Sequence, residues 1–252
     1  MEIAVVGGTG SVGALVVTEL IARGDAVRIL SRGMPAEPPP GASHHRVDMA
    51  TGEGLGEALA GTEAVVDAVN ATRNAKAVLV EGSRRLLAAE ADAGVRHHVG
   101  ISILGCDRVP LGYYRAKVAQ EQAIAGGRIP WSLLRASQFH TLIATVFELW
   151  GRAHAVPTGK ARLQPVDPRV VARRIADSVH EGPAGRLPDV AGPEIGTLTE
   201  LAGAWRRHHG RRLLPVRLPM AGPIGRPLRE AALCDPAAAA GGTTFEEWVA
   251  AR

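Results

Sequence analysis

The sequence predicts an α/β fold in which a doubly wound parallel sheet is followed by a smaller C-terminal portion. Short β-branched segments alternate with longer segments of helical period, and a glycine-rich turn stands between the first strand and the first helix. After about residue 152 this alternation weakens among turns rich in proline and glycine. We therefore expect a core over residues 1–152 and a substrate-side portion over residues 153–252, of which residues from about 167 to 191 return to the core.

Six strand candidates follow one another in the first part of the chain. They are residues 2–7 (EIAVVG), 26–30 (AVRIL), 44–47 (HHRV), 63–69 (EAVVDAV), 96–102 (RHHVGIS) and 131–136 (WSLLRA). An amphipathic stretch over residues 11–23 follows the first candidate and ends before Gly24, a residue type favoured just after a helix. Strands that alternate with helices pair in parallel, because each crossover helix brings the chain back in the same direction.

The remaining elements are predicted from prolines, amphipathic spacing and caps. Residues 34–41 (MPAEPPPG) contain too many prolines for regular structure and are predicted to form an exposed loop. Residues 167–181 and 197–209 have the spacing of amphipathic helices. Thr243 and Glu246 have the spacing of a capping box, which predicts a short helix at the C-terminal end.

The composition limits the classes of protein to consider. With 46% hydrophobic residues in 252, the chain can bury a full core, and 29 basic against 25 acidic residues leave a charge of +4 that predicts no nucleic-acid partner. Cys106 and Cys234 are too few and too far apart for a disulfide framework, which fits a reducing cytoplasm. No apolar run approaches a membrane span, so we expect a cytoplasmic protein without a membrane partner. No pattern predicts an oligomeric state.

The turn VVGGTGSVG predicts a nucleotide site. Glycines at positions 7, 10 and 13, and also at 8, 10 and 13, make a tight turn, let a diphosphate approach a helix N-terminus, and let helix and strand pack closely. An ordinary glycine-rich turn is the alternative, but the strand before it and the helix after it favour a nucleotide. The predicted contacts are Gly7, Thr9, Gly10, Ser11, Val12 and Gly13.

The end of the second strand predicts which nucleotide binds. Ser31 and Arg32 stand where an acidic residue would bond the ribose hydroxyls of NAD, and arginine with a hydroxyl suits the 2′-phosphate of NADP instead. NADP(H) is therefore the predicted cofactor, with a solvated loop arginine as the alternative. Asp48 is predicted either to contact the adenine or to act as a turn or cap residue. Further predicted cofactor contacts are Met49, Ala68, Val69 and Asn70.

Histidine pairs and a basic cluster do not predict a metal or a nucleic-acid site. The pairs at 44–45, 97–98 and 208–209 are adjacent, and adjacent residues of a strand point to opposite faces, so no metal site is predicted. Residues 206–212 (RRHHGRR) are interpreted as a solvated helix end.

Several of these segments together resemble a known superfamily. The chain is similar to atypical short-chain dehydrogenases/reductases, specifically the NmrA-like NAD(P)-binding branch. The segments that carry the similarity, in the expected order, are residues 7–13 (GGTGSVG), 30–32 (LSR), 47–69, 97–102, 113–122 (YYRAKVAQEQ), 131–140 (WSLLRASQFH) and 191–202. The resemblance implies a Rossmann-type fold. It leaves the activity open, because the branch contains reductases and also nucleotide-sensing proteins without chemistry.

The stretch GYYRAK at residues 112–117 predicts an acid and a cofactor ligand. Tyr113 and Tyr114 lie four and three positions before Lys117, so both pairs can share a helix face, and the first turn of an amphipathic helix is the alternative interpretation. The resemblance implies Tyr-x-x-x-Lys, which selects Tyr113 as proton donor and Lys117 as ligand of the nicotinamide ribose, with Tyr114 as a packing neighbour. It also makes Ser102 a candidate for orienting the substrate carbonyl. Tyr113 follows Ser102 by only eleven positions, which is fewer than the usual arrangement, so a role at the cofactor or the strand end alone is the alternative.

The segment after the sixth strand is predicted to face the nicotinamide end. Gln138 and Phe139 are predicted to contact the ring and His140 the substrate, although core packing is an alternative for the phenylalanine. Together these residues predict an NADPH-dependent oxidoreductase that reduces a small, apolar carbonyl, quinone or enone. The alternatives are an NADP(H)-sensing regulatory protein without turnover and an isomerase or dehydratase of the same fold. The expected partner is a small-molecule substrate.

Overall fold

The computed structural model describes residues 1–33, 37–209 and 213–252. Part of the predicted loop at 34–41 and part of the basic cluster at 206–212 lie outside the described residues. Two compact units make up the chain. The first unit contains residues 1–102, 115–134 and 171–187, and the second contains residues 103–114, 135–170 and 188–252. These bounds differ from the predicted division at residue 152, which stays a prediction.

Seven strands form the main sheet. They are β1 (Glu2–Val6), β2 (Ala26–Ser31), β3 (Ala42–Arg46), β4 (Ala64–Asp67), β5 (His97–Ile103), β6 (Trp131–Ala136) and β9 (Gly185–Arg186), in the order β3-β2-β1-β4-β5-β6-β9. Neighbouring strands pair in parallel, for example Val5 with Ile29 of β2 and with Val66 of β4. The six predicted strands and the doubly wound α/β fold are therefore confirmed. The chain order reverses between β1 and β4, where such sheets bind their ligands.

Five helices contribute to the first unit. They are α1 (Gly13–Ala22), α2 (Leu55–Leu59), α3 (Gly82–Ala93), α4 (Gly112–Ala125) and α6 (Pro168–Glu181), and a six-residue π-helix, Lys76–Glu81, runs directly into α3. Alternate residues of β1, Ala4 and Val6, lie in one buried cluster with Leu59 of α2 and Leu86 of α3, as the two-residue period of a strand requires. Burying each such leucine stabilises the fold by about 1.5–3 kcal/mol.

The second unit has a separate aromatic core. Its elements include α5 (His140–Gly151), β7 (Ala155–Thr158), β8 (Arg162–Leu163), β10 (Gly196–Thr197), α7 (Leu198–His209), β11 (Leu214–Arg217), α8 (Gly222–Arg229) and α9 (Phe245–Ala250). Two small sheets pair β8 with β10 and β7 with β11. The ring of Phe147 lies 5.9 Å from that of Trp205 and 6.2 Å from that of Phe245, measured between centroids. Helices 168–181 and 198–209 match the predicted amphipathic segments.

The C-terminal capping box lies one residue later than predicted. Thr244, not Thr243, is the N-cap of α9: its hydroxyl accepts a hydrogen bond from the amide of Glu247, whose carboxylate accepts one from the amide of Thr244. The predicted box of Thr243 and Glu246 is therefore wrong. The shift buries Phe245 as the first helical residue and leaves Glu246 to pair with Arg207.

None of the helices in the described part of the chain combines the length and the apolar composition that a membrane span requires.

Candidate cofactor site

The turn between β1 and α1 requires glycine at position 7. Gly7 has a φ of +76°, a conformation that other residues rarely adopt, and a Cβ there would lie 3.0 Å from the carbonyl oxygen of Ala68. Its amide donates to Leu30 O over 2.8 Å, and its own carbonyl accepts from the amide of Gly10 over 2.9 Å. The turn is thus fixed against β2 and passes the end of β4.

Helix α1 begins at Gly13 with no capping side chain. A Cβ at Gly13 would lie 2.2 Å from Gly7 O, so only glycine lets the helix start this close to the turn. The N-cap residue Val12 offers no side-chain hydrogen bond to the first amides of the helix, while Thr9, Gly10 and Ser11 are exposed. An uncapped helix N-terminus under an exposed glycine turn fits a nucleotide diphosphate, whose oxygens accept from amide groups there.

The end of β2 carries an exposed cation. Arg32 is exposed directly after the strand, and Ser31, Arg32 and Gly33 include no carboxylate. The hydroxyl of Ser31 donates to Gly33 O over 2.7 Å and lies 2.9 Å from His44 Nε2. Arg32 is therefore free of strand pairing, whereas Ser31 is engaged in the local turn.

Asp48 and Met49 lie in the turn after β3. The Oδ1 atom of Asp48 accepts from the amide of Ala50 over 2.8 Å, so the predicted turn role is present, while the predicted adenine contact stays a prediction. Met49 is only 6% exposed and packs in the core cluster with Leu55 and Val47.

The end of β4 has small residues beside the glycine turn. The amide of Ala68 donates to Val6 O over 3.0 Å, which continues the pairing with β1. Ala68 and Val69 are half-buried and Asn70 is exposed. These three predicted contacts therefore follow the strand next to the glycine turn.

Lys117 of α4 is buried next to the end of β5. Its side chain is almost fully buried, at 4% exposure for the residue, and its Nζ atom donates to Ile101 O over 2.9 Å and to Gln120 Oε1 over 2.8 Å. Ser102, the residue after Ile101, is also buried. The structure thus brings the predicted Lys117 to the same strand end as the predicted Ser102.

A buried polar network continues from Lys117, and the sequence analysis did not predict it. Gln120 Nε2 donates to Asp67 Oδ2 over 2.9 Å and to Ser83 Oγ over 3.0 Å. Asp67, Ser83 and Gln120 are all buried. Two features of the sequence could have predicted it. An aspartate directly follows the apolar run AVV of β4, and Gln120 lies three positions after Lys117, on the same face of the helix.

Tyr113 and Tyr114 lie in the first turn of α4, which begins at Gly112. Their ring centroids are 5.6 Å apart. Tyr114 belongs to the second unit, where it packs against Val109 and Leu233, and burial raises the pKa of its phenol to about 12. The predicted packing role of Tyr114 matches these contacts, and the proton-donor role of Tyr113 stays a prediction.

The segment after β6 contains a buried amide without partners. Gln138 is 8% exposed, and neither its Oε1 nor its Nε2 atom has a hydrogen-bond partner among the described residues, which is costly unless a ligand supplies one. Phe139 is half-buried. His140 is fully buried, with Nε2 3.0 Å from Thr243 O and its ring 5.5 Å from that of Trp248, and burial lowers its pKa. These contacts are those of a core histidine.

The adjacent histidines of β5 have different partners. His97 Nε2 lies 2.9 Å from Ser132 Oγ, whereas His98 Nδ1 lies 2.8 Å from Glu90 Oε1. Within residues 1–33, 37–209 and 213–252, no three or more histidine, cysteine, aspartate or glutamate side chains are grouped so as to hold a metal ion.

The glycine turn at the reversal point of the parallel sheet defines a dinucleotide-binding protein of the Rossmann type. Residues 7–179 match the NAD(P)H-binding family, and the protein belongs to that family. The predicted resemblance is confirmed at the level of this nicotinamide-nucleotide-binding fold, and the NmrA-like branch stays a prediction. No curated protein matches the sequence.

Solved structures share the fold over nearly the whole chain. The NADPH-dependent quinone oxidoreductase QOR2 of Escherichia coli, complexed with NADPH, has a TM-score of 0.82 at 20% identity, covering 99% of this chain and 99% of that one. The enzyme WbmH of Bordetella bronchiseptica, in complex with NAD+, has a TM-score of 0.79 at 16% identity, covering 99% and 96%. The triphenylmethane reductase of Citrobacter sp. has a TM-score of 0.70 at 20% identity, covering 87% and 79%. At these identities the likeness is one of fold.

Proposed function

We propose that the protein is an NADP(H)-dependent reductase of a small, apolar carbonyl, quinone or enone. The observation that carries the choice of nucleotide is Arg32, an exposed guanidinium directly after β2, at a strand end without a carboxylate. Leu30, two residues earlier, accepts the amide of Gly7, so Arg32 follows a strand held against the glycine turn. A guanidinium pairs well with a phosphate dianion, which NADP carries and NAD lacks.

The residues of the first unit would divide the work of holding the nucleotide. The amides of the glycine turn and of the first turn of α1 would donate to the diphosphate, Arg32 and Ser31 would contact the 2′-phosphate, and Lys117 would donate to ribose hydroxyls. When bound, the nicotinamide supplies a hydride. Tyr113 would then give its phenolic proton to the substrate oxygen, with Ser102 orienting that oxygen.

The comparisons support a reductase by analogy of fold. QOR2 is an NADPH-dependent quinone oxidoreductase, and it resembles this chain over 99% of both lengths. The fold also serves other chemistry, as the UDP-glucose 4-epimerase of Thermotoga maritima shows. Activity therefore has to be measured, beginning with the nucleotide.

A paired titration tests the proposal. Purified protein is titrated with NADPH and NADH by calorimetry, and the preferred nucleotide is then used in a hydride-transfer screen with quinones, enones and small carbonyl compounds. We expect tighter binding of NADPH and substrate-dependent oxidation of it. Tight binding without turnover would favour the sensor hypothesis, and product without net consumption of NADPH would favour an isomerase. Failure to bind either nucleotide would overturn all three.

A further inference from the structure

The ammonium group of Lys117 is buried, and two of the groups that it contacts are uncharged acceptors. Its Nζ atom donates to a backbone carbonyl, Ile101 O, and to a side-chain amide, Gln120 Oε1. A buried charge is costly unless an opposite charge and hydrogen bonds compensate it. The network beyond Gln120 leads to such a charge.

Gln120 connects Lys117 to the carboxylate of Asp67. An ammonium group only donates and a carboxylate only accepts, so the amide oxygen of Gln120 must face Lys117 and its NH₂ group must face Asp67. The contacts have this polarity: 2.8 Å from Lys117 Nζ to Oε1, and 2.9 Å from Nε2 to Asp67 Oδ2. Gln120 is therefore a neutral bridge between a buried cation and a buried anion.

Asp67 is held in place on both of its oxygens. Oδ2 also accepts from Ser83 Oγ over 3.2 Å, and Oδ1 accepts from the amide of Val69 over 3.1 Å. The residue is 1% exposed and ends β4, the strand next to the glycine turn. A carboxylate this well hydrogen-bonded stays in one position, and so does the amide bonded to it.

We propose that Asp67 and Gln120 are positioning residues that compensate the charge of Lys117 and aim its ammonium group at the nicotinamide ribose. This inference rests on the proposed function, in which Lys117 holds that ribose. Gln120 restricts the lysine to one orientation. Asp67 supplies negative charge to the network from the far side of that amide.

A double substitution tests the polarity of the bridge. Asp67→Asn removes the anion, and Gln120→Glu places a second carboxylate against Asp67, so each alone disturbs the network. Together they restore it: the introduced carboxylate accepts from Lys117 and from the introduced amide, and the number of negative charges is unchanged. We expect each single variant to weaken binding of the preferred nucleotide roughly tenfold or more, and the double variant to recover most of that loss.

A half-molecule of the cofactor separates positioning from general damage. Adenosine 2′,5′-bisphosphate (or adenosine 5′-monophosphate, if the wild type prefers NADH) lacks the nicotinamide ribose, so its affinity should not change in any variant. Gln120→Met removes the bridge without adding charge and should behave like the single variants. Ser132→Ala is the matched control, since it removes another buried hydroxyl of the first unit, hydrogen-bonded to His97 over 2.9 Å, and should leave both affinities unchanged.

The outcomes distinguish this inference from the function on which it rests. Wild-type protein that binds neither NADPH nor NADH overturns the proposed function and the inference with it. Wild-type binding with unchanged nucleotide affinity in Asp67→Asn, Gln120→Glu and Gln120→Met overturns the inference alone. The third outcome is an equal loss of affinity for the dinucleotide and for the half-molecule, with no recovery in the double variant. That result would assign the network to stability only and would also overturn the inference.

Discussion

Gly13 lies so close to Gly7 that a Cβ atom on residue 13 would be 2.2 Å from the Gly7 carbonyl oxygen. Gly13→Ala therefore has to displace either the turn or the start of α1. We expect the free energy of unfolding to fall by about 1–3 kcal/mol, as for other overpacked sites. We also expect nucleotide affinity to fall at least tenfold, because the amides that we propose to face the diphosphate move with the turn. Urea unfolding and calorimetry measure the two effects.

Gly56→Ala is the matched control for that substitution. Gly56 lies in α2, and an added Cβ would meet no other described part of the chain within 4 Å outside its own helix and its chain neighbours. Alanine should stabilise the helix by about 0.5–1 kcal/mol and leave nucleotide affinity unchanged. Normal nucleotide binding by Gly13→Ala would contradict the assignment of the turn as the diphosphate site.

Arg32→Ala tests the choice between the two nucleotides. A charge-assisted hydrogen bond contributes about 1.5–3 kcal/mol, so the Kd for NADPH should rise roughly 10- to 100-fold. The Kd for NADH should stay the same, because NADH has no 2′-phosphate. Arg84→Ala is the control: Arg84 is exposed on α3 and pairs with Glu81 at the surface, so neither affinity should change. An equal loss of affinity for NADPH and NADH would show that Arg32 does not contact the 2′-phosphate.

The parts of the fold that local patterns determine were predicted from the sequence. Apolar β-branched runs predicted the six strands within three residues of their bounds, and glycine at positions 7, 10 and 13 predicted the turn. These predictions succeed because a strand, a tight turn and a helix start each depend on residues that are adjacent in the sequence. The capping box shows the limit of this reasoning. Thr243 and Thr244 each precede a glutamate by three, and the burial of Phe245, a tertiary contact, decides between them.

The buried network could not be predicted because its members come from separate elements. Gln120 is 53 residues from Asp67 and 37 from Ser83 along the chain. Only the packing of α3, α4 and β4 brings them together. Lys117 was predicted from its spacing to Tyr113. That local spacing carries no information about which distant residues compensate the charge of a buried lysine.

Tyr113→Phe and Tyr114→Phe form a matched pair that tests the proton donor. Each removes one hydroxyl from the first turn of α4. If Tyr113 is the acid, its loss should lower kcat about 10²- to 10⁴-fold with little change in nucleotide affinity. Tyr114, whose pKa burial raises to about 12 and which packs on Val109 and Leu233, should affect stability only. Unchanged turnover by Tyr113→Phe on the true substrate would remove it from the mechanism.

The buried pair of His98 and Glu90 should make the free energy of unfolding depend on pH. Burial alone would lower the pKa of His98, but the charge and hydrogen bond of Glu90, together with the charge of Asp67, outweigh it and hold that pKa above its ordinary value of 6.5. Burial raises the pKa of Glu90. The folded protein thus keeps protons that the unfolded chain releases. The stabilisation from His98 is complete below pH 6.5 and is lost as the pH rises through the pKa of the folded state.

Glu90→Gln should reverse that dependence. Without the carboxylate, we expect burial to outweigh the remaining charge of Asp67 and to lower the pKa of His98, so stability should become flat above pH 6.5 and decrease below it. Urea unfolding at a series of pH values on both sides of 6.5 measures the change, with Glu53→Gln, an exposed glutamate, as the control that keeps the wild-type profile. An identical profile in Glu90→Gln and wild type would show that the pair does not titrate in this range.

Gln138 and Gln164 are buried glutamines of the second unit, and they differ in whether their side-chain amides have hydrogen-bond partners. Gln164 donates to Gly192 O and accepts from the amide of Asp235, both over 2.8 Å, whereas neither polar atom of Gln138 has a partner among the described residues. Removing a satisfied amide costs about 1–3 kcal/mol, while removing an unsatisfied one relieves a comparable penalty. Gln164→Leu should therefore lower the melting temperature, and Gln138→Leu should raise it.

The same substitution should have the opposite effect on cofactor binding. If Gln138 contacts the nicotinamide, its polar atoms are unpaired in the free protein because the ligand supplies their partners, and Gln138→Leu should weaken NADPH binding roughly tenfold while leaving adenosine 2′,5′-bisphosphate unaffected. A residue kept for binding at the expense of stability has this pattern. A stabilised variant with full NADPH affinity would contradict the nicotinamide role of Gln138 and leave the glycine turn and Arg32 as the tested contacts.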